Sequence, residues 1–324
     1  MIKFIVAPGH GYTFRPLRDA QEAGIPVPAQ LTNYRKLFDA KSVPPGIWAF
    51  CDIERLAVWE LGLAGEIARL MRERGWPVIN DPARAAARYE LLLRLHQAGF
   101  NHFRAWRAED GIPDARFPVF LRIESNHKRP VSDLIKSRKA LAAAIEEQRQ
   151  RGVPLRGMLI VEYAAEPIAP GVFRKYGAYR FGDRIVADHM VHDVVWAAKY
   201  GDLKAWTNER FAEEAAYVRD NPHAEALMRA FTIAGIEYGR ADYGLIDGEV
   251  QVWEINTNPA LPSHDPKKNP RSRREALLMA REQRFEALAA LDRRVERPRL
   301  ELTSEMLDAY RTRQDAESPD MVRE

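Results

Sequence analysis

Residues 241–262 read ADYGLIDGEVQVWEINTNPALP, a strand, a tight Asp-Gly turn and a second strand ending in an Asn-Pro loop. With Arg240 just before it, the stretch offers a cation, two carboxylates (Asp242 and Glu254) and the carboxamide of Asn256. Whether these cooperate depends on face parity. A two-residue turn at Asp247-Gly248 sets position 242 opposite 253 and turns Glu254 away from Asp242. A three-residue loop, Ile246-Asp247-Gly248 with its glycine left-handed, puts the even-numbered residues of both strands on one face. The three-residue loop is expected here, because it gathers Arg240, Asp242, Glu254 and Asn256. Val250 and Val252 then share that face, with Trp253 and Ile255 packed behind. Carboxylate and carboxamide oxygens held on strands make a hard oxygen site. Mg²⁺ takes a few such oxygens and keeps its other positions for water and phosphate. An arginine alongside would meet an anionic substrate or developing negative charge. The plainer reading pairs the carboxylates with Arg240 and a nearby lysine. The Glu-x-Asn-x-Asn-Pro run favours the metal, since asparagines at a strand end add little to a salt bridge.

The elements that must position these residues follow from the hydrophobic pattern. IKFIVA (2–7) reads as a buried parallel-type strand, VWELGLAGEIARLMRERG (58–75) as a helix closed by Gly75, and WPVINDP (76–82) as a short strand. Strand, helix, strand is the βαβ signature of an α/β layer. Prolines 26, 28, 44 and 45 make 24–47 irregular. Helices are expected over 83–99, 132–152 (from a Ser-Asp start) and 221–235, and a basic helix from 272 that frays after about 312. Strands are expected at 117–124 and 158–166. A hairpin is expected over 176–190, turning at Gly182-Asp183.

Composition bounds the class. A net charge of +3 on 49 basic and 46 acidic residues is too balanced to argue for nucleic acid. The single cysteine, Cys51, excludes an intrachain disulfide framework and fits a reducing compartment. The apolar start is too short for a signal peptide, and no stretch approaches the ~20 apolar residues of a membrane helix. The expectation is a cytoplasmic enzyme or binding protein, with no membrane and no nucleic acid.

The sequence R-x-D, turn, W-E-I-N-T-N-P-A resembles the metal hairpin of the ATP-grasp superfamily, and its arginine is similar to that of the D-alanine–D-alanine ligase branch; RimK-type ligases are also similar. The resemblance implies an α/β fold of α+β lobes, with a small α/β domain (1–80) before the ATP-grasp unit. It divides the rest into a helical connection with a central nucleotide-clasping lobe (81–190) and a C-terminal lobe carrying the metal hairpin (191–324). The implied cofactors are ATP and Mg²⁺, or Mn²⁺, with Asp242, Glu254 and Asn256 as metal ligands.

The same resemblance places two phosphate-gripping cations on separate elements. Arg88, after the Asn-Asp-Pro turn, and Arg122, at the end of a strand, stand where lysines are usual, and arginine keeps the charge with a different geometry. Glu162 and the backbone at Tyr163 and Ala164 would read the adenine edge, and Glu166 the ribose. Arg174 or Lys175 would face the triphosphate or acceptor. Arg240 would hold an oxyanion, Asn258 would orient the acceptor, and His10 and Tyr12 would lie on a substrate loop. Two features depart from the pattern. The loop ESNHKRP (124–130) has no glycine, so His127, Lys128 and Arg129 must offer side-chain charge in place of backbone N–H groups. Ala260 stands where glycine is usual. His189 and His192, three apart with no cysteine or third histidine near them, do not make a zinc site, and His189 is expected to face the active site.

The implied reaction activates a carboxylate of a small molecule or peptide as an acylphosphate and transfers it to an amine or thiol. Replacing Glu254 by Gln should abolish turnover with little change in melting temperature. The rival readings are a kinase on the same fold and a non-catalytic nucleotide-binding module. The basic loop 264–274 would attract an anionic acceptor, or is a solvated linker. The apolar face of the final helix leaves a homodimer open.

Overall fold

The structure is a computed structural model describing residues 1–199, 201–260 and 269–317. Residues 264–268 of the basic loop and the tail beyond 317 lie outside the described residues. The chain divides into two compact units, one of Met1–Ala85, Thr257–Leu261 and Phe285–Glu324, the other of Ala86–Asn256 and Pro262–Arg284. Both units are discontinuous along the chain.

The first unit is built on a parallel sheet of β1 (Ile2–Val6), β2 (Ala29–Asn33), β4 (Ile47–Phe50) and β5 (Val78–Ile79), in the order β2-β1-β4-β5. A further short strand, β3 (Ser42–Val43), pairs antiparallel with Leu300–Glu301. Helices α1 (Arg15–Glu22), α2 (Tyr34–Asp39) and α3 (Val58–Glu73) complete its α/β layer. The region 24–47, read as irregular, holds β2 and α2. Asn33 ends β2 and caps α2, its side chain accepting from Lys36 N at 3.0 Å. Ile5, Phe50, Ile67 and Met71 are fully buried in this core with Tyr34, Phe38 and Trp48.

The second unit carries two antiparallel sheets. One runs β6-β8-β7, from Ala105–Arg107 (β6), Val119–Ile123 (β7) and Met158–Glu162 (β8). The other runs β11-β10-β12-β13, with β9 (Pro167–Ala169) paired to β10 (Val172–Phe181), followed by β11 (Arg184–Asp193), β12 (Tyr238–Ile246) and β13 (Glu249–Asn256). The hairpin at Gly182-Asp183 forms as expected. Helices α4 (Arg88–Gln97), α5 (Arg138–Gln150), α6 (Asn208–Asp220) and α7 (Ala224–Ala234) belong to this unit, as does α8 (Arg271–Leu291) up to Arg284.

Two helix starts differ from expectation for identifiable reasons. Residues 83–87 are not helical, because Ala86 N donates to Ala234 O and α4 begins only where Glu90 accepts from Ala87 N. Residues 132–136 are not helical, because Val119 and Ile135 exchange both backbone hydrogen bonds in an isolated bridge. The helix then starts at Ser137, whose hydroxyl accepts from Ala140 N. At the other end of the chain, residues expected to fray after about 312 belong to a helix, Glu305–Glu317.

Candidate active site

The hairpin gathers its carboxylates, but by a different device from the expected loop. Ile246 pairs with Glu249, so the turn is the two-residue Asp247-Gly248, with φ of 51° and 80°. Both residues are left-handed, the conformation that fits a tight hairpin between twisted strands. Parity is restored further along. Tyr243 pairs with Val252 and Asp242 with Glu254, leaving Trp253 as an extra residue in a β-bulge. Asp242 therefore faces Glu254 directly, with Arg240 opposite Asn256.

The bulge also corrects which neighbours share that face. Val252 lies opposite the buried Tyr243 and Val250 opposite Leu245, on the reverse side. Trp253 lies on the carboxylate side, close enough that a Cβ on Gly244 would come within 2.5 Å of its ring. Its indole N–H donates to Ala164 O at 2.8 Å. Ile255 packs behind, as expected.

Cations from three directions converge on the carboxylates. Lys175 Nζ lies 2.8 Å from Asp242 Oδ2, and Arg240 Nε lies 3.2 Å from Asp242 Oδ1. Arg88 Nη2 is 2.7 Å from Glu254 Oε2 and Arg122 Nη2 is 3.6 Å from it. The His127 ring meets the other oxygen of Glu254. Burial alone would raise the Asp242 carboxyl, but Lys175 and Arg240 outweigh it and hold it at about 2. Burial likewise opposes ionisation of Glu254, yet Arg88, the His127 hydrogen bond and Arg122 keep it well below the usual carboxylate range. Arg122 is pulled down to about 10 by burial and by Arg88 beside it.

Lys175 and Arg174 are adjacent on β10 and part company. Lys175 joins the carboxylates, whereas Arg174 pairs with Glu213 and stacks over Tyr176 at 5.0 Å. Gly177 lies opposite Asp242, and the His189 ring fills the place of its missing side chain: a Cβ there would meet that ring at 2.6 Å. His189, expected to face the active site, thus lies over Gly177, which pairs with Asp242. Burial, with Arg240 and Lys175 nearby, pushes it down to about 3. It is neutral at physiological pH and donates its Nδ1–H to Asp188 Oδ2 at 2.5 Å.

Other expected residues are engaged elsewhere. The Glu162 carboxylate is buried and accepts from Arg104 N at 2.9 Å, Arg116 N at 2.7 Å and the Arg104 guanidinium at 3.0 Å. With these partners it braces the turns at 104 and 116. Glu166 accepts from Asp247 N at the hairpin turn, 3.2 Å away. Tyr163 N donates to Pro118 O. Asn258 belongs to the first unit, where it accepts from Thr13 Oγ1 at 2.7 Å and donates to Asp52 Oδ2 at 2.8 Å. His10 lies 3.4 Å from that same Asp52, and Tyr12 is exposed.

Several residues in the second unit carry weight that sequence reasoning missed. Trp196 meets Phe120 at a tilt and Tyr163 edge to face, at 4.8 and 5.7 Å between ring centres. Trp196, Ile246 and Trp253 are partly buried and pack against the core cluster that includes Ala164. Lys199 Nζ donates to His127 O at 2.8 Å from the loop after β11, and no local pattern announces it. Gly177 did carry a signal, since glycine inside a strand marks a close approach.

The donor set fits a divalent ion with a phosphorylated ligand. Asp242 and Glu254 are ionised, opposed and hard, with Asn256 next along β13. Around them, four cationic side chains (Arg88, Arg122, Lys175 and Arg240) pair with these two carboxylates, leaving two more cations than anions in the cluster. The buried Nε atoms of Arg88 and Arg122 have no hydrogen-bond partner among the described residues. That excess would suit an anionic ligand.

Fold and site define a mixed α/β protein whose hairpin face gathers two carboxylates and four cationic side chains. No family model matches the chain, and no curated protein matches it. Among solved structures, it is similar to a D-alanine–D-alanine ligase from Bacillus anthracis complexed with ATP, at 12% identity and a TM-score of 0.44, over 89% of this chain and 98% of that one. It is similar to a RimK domain ATP-grasp protein from Sphaerobacter thermophilus at 14% identity and 0.44, over 87% and 98%. The ATP-grasp ligase PsnB complexed with minimal precursor gives 14% and 0.46, over 90% and 99%. All three TM-scores lie below one half, so the chemistry is argued from the side chains of this chain. Among the described residues, no helix is long and apolar enough to cross a membrane.

Proposed function

We propose that the chain is an ATP-dependent ligase that activates a substrate carboxylate as an acylphosphate and joins it to an amine or thiol. One observation carries the reading: Asp242 and Glu254 stand opposed within a ring of four cations whose charge they do not balance. Asp242, Glu254 and Asn256 would hold Mg²⁺ or Mn²⁺, which when bound supplies charge neutralisation across the phosphates. Arg122, buried and only loosely paired, is the guanidinium best placed to take phosphoryl oxygens. Lys175 and Arg240 would turn from Asp242 toward the anionic ligand, with Arg240 meeting the oxyanion of the tetrahedral intermediate. The purine would lie against Trp196 and the Tyr163–Ala164 backbone.

Arg88 would add a structural part to the phosphate contact expected by analogy. One of its terminal nitrogens donates to the carbonyls of Ile123, Glu124 and Asn126, and the other is bound to Glu254. It fixes the loop after β7 and the metal carboxylate together, leaving Nε toward a ligand.

The first experiment is the melting shift with ATP, with and without Mg²⁺. Ligand at a hundredfold excess over Kd should stabilise the fold by about 2.7 kcal/mol, and the shift should require the metal. Steady ADP release that needs both a carboxylate and an amine or thiol then identifies a ligase. A phosphorylated product formed without a second nucleophile would mean a kinase. Metal-dependent binding without release would mean a nucleotide-responsive module.

A further inference from the structure

Two arginines outside the carboxylate cluster, Arg210 and Arg273, meet at the edge strand β11 of the larger sheet. They line a small cavity within the second unit, with Met190 and His192 of β11, Trp206, and Phe211 beside Arg210 at the start of α6. Arg273 reaches it from the first turn of α8. The cavity, of about 10 Å³, has room for a single particle of about water size.

The lining is rich in donors and contains no carboxylate. Arg273 is held in place and neutralised by Glu214, which it grips at 2.7 and 3.0 Å. That carboxylate also accepts from Met190 N at 3.1 Å, so its oxygens are taken. The Arg273 guanidinium lies 5.6 Å from the Trp206 ring centre and 6.0 Å from that of Phe211, and the two rings meet edge to face. These contacts fix the indole, yet its N–H has no acceptor among the described residues. Arg210 gives one terminal nitrogen to Ala205 O at 2.6 Å and makes no salt bridge among the described residues. Glu209, next to it in sequence, is exposed and lies outside the lining. His192 is buried, and its Nε2 lies 3.6 Å from Glu213, beyond hydrogen-bond length.

A water molecule needs acceptors for its own hydrogens, and guanidinium and indole groups offer only donors. An anion accepts from all of them and offsets the charge of Arg210. We infer that this cavity is a binding site for a small monovalent anion of halide size. Bound there, the anion ties the edge of β11 to α6, α8 and Trp206. The inference is independent of the nucleotide reading above.

Melting of the full chain in sodium chloride against sodium gluconate, at one ionic strength, tests it. The melting temperature should rise with chloride and level off. Trp206→Phe keeps the ring and removes the N–H, and the chloride concentration at half effect should rise by about tenfold, the value of one hydrogen bond to a charged group. Arg210→Gln should raise it at least as much. Lys204→Ala, which removes an exposed cation nearby in sequence, should leave it within about twofold. Crystals of the unaltered chain grown in bromide should show anomalous scattering beside Trp206 Nε1 and the Arg210 guanidinium. Melting indifferent to chloride, a half-effect concentration unchanged in both the Trp206 and Arg210 variants, or water in the cavity of the bromide crystals would each overturn the inference. Should a variant fail to fold, the bromide crystals decide.

Discussion

Asp242 faces Glu254 because β13 spends one residue more than β12 between the turn and the pair. That residue, Trp253, sets which side of the hairpin the second carboxylate occupies. It also hydrogen-bonds Ala164 and covers Gly244. The bulge is thus fixed by packing on both sides, and the opposed carboxylates inherit its rigidity.

Gly244→Ala tests that packing. Its new methyl would sit 2.5 Å from the Trp253 ring, so the indole or the strand must shift. Overpacking of this kind costs about 1–3 kcal/mol, and urea denaturation should show it as a lower midpoint. Metal-dependent nucleotide binding should fall as well, because the bulge carries Glu254.

Glu254→Gln should lose the Mg²⁺-dependent melting shift with ATP. The sequence alone suggested an unchanged melting temperature, but the side chain is the common anion of Arg88, Arg122 and His127. Removing it strands buried positive charge, at a cost of about 3 kcal/mol. The free variant should therefore melt clearly lower, by calorimetry, than the unaltered chain.

Acid should weaken the fold through the same carboxylates. Asp242 is held at about 2 against an ordinary value of 3.8. Above the ordinary value both folded and unfolded chains are ionised, and the full stabilisation is present. Below it the unfolded chain takes up a proton first, so stability falls until the folded carboxyl protonates near pH 2. The loss amounts to about 2 kcal/mol, and Glu254 adds to it in the same direction. Asp242→Asn should be less stable at neutral pH, with a flatter profile between pH 4 and 2 in urea titrations.

Arg88→Lys tests the anchoring of the loop. An ammonium cannot span three carbonyls and a carboxylate with one planar fork. Losing two or more of these bonds should cost about 2–3 kcal/mol. Hydrogen exchange at 123–127 should quicken, and proteases should cut there first.

Much of the site was legible because chemistry and strand period coincide in it. That Arg240, Asp242, Glu254 and Asn256 gather on one face was expected from their residue types, and the α/β class from the order of strands and helices. The bulge did not follow, because an extra residue in the turn and one beside Glu254 give the same parity. The start of α5 was misplaced for a related reason: Ser132 and Ser137 are both good caps, and only pairing of Ile135 with Val119 selects the second. Strand β2 (AQLTN) is largely exposed and polar, so no apolar run betrays it. Glu162 was read by analogy as an adenine contact. Its three donors come from residues 104 and 116, a distance along the chain that no local pattern spans.

The floor beneath Asp242 is made by two strands at once. Gly177 supplies the space and His189 fills it. Neither position has a free choice of residue: a side chain at 177 requires a smaller one at 189, and a smaller one at 189 leaves a void beside Asp242. The two should change together among descendants of this sequence, as a paired substitution that keeps the floor's volume constant.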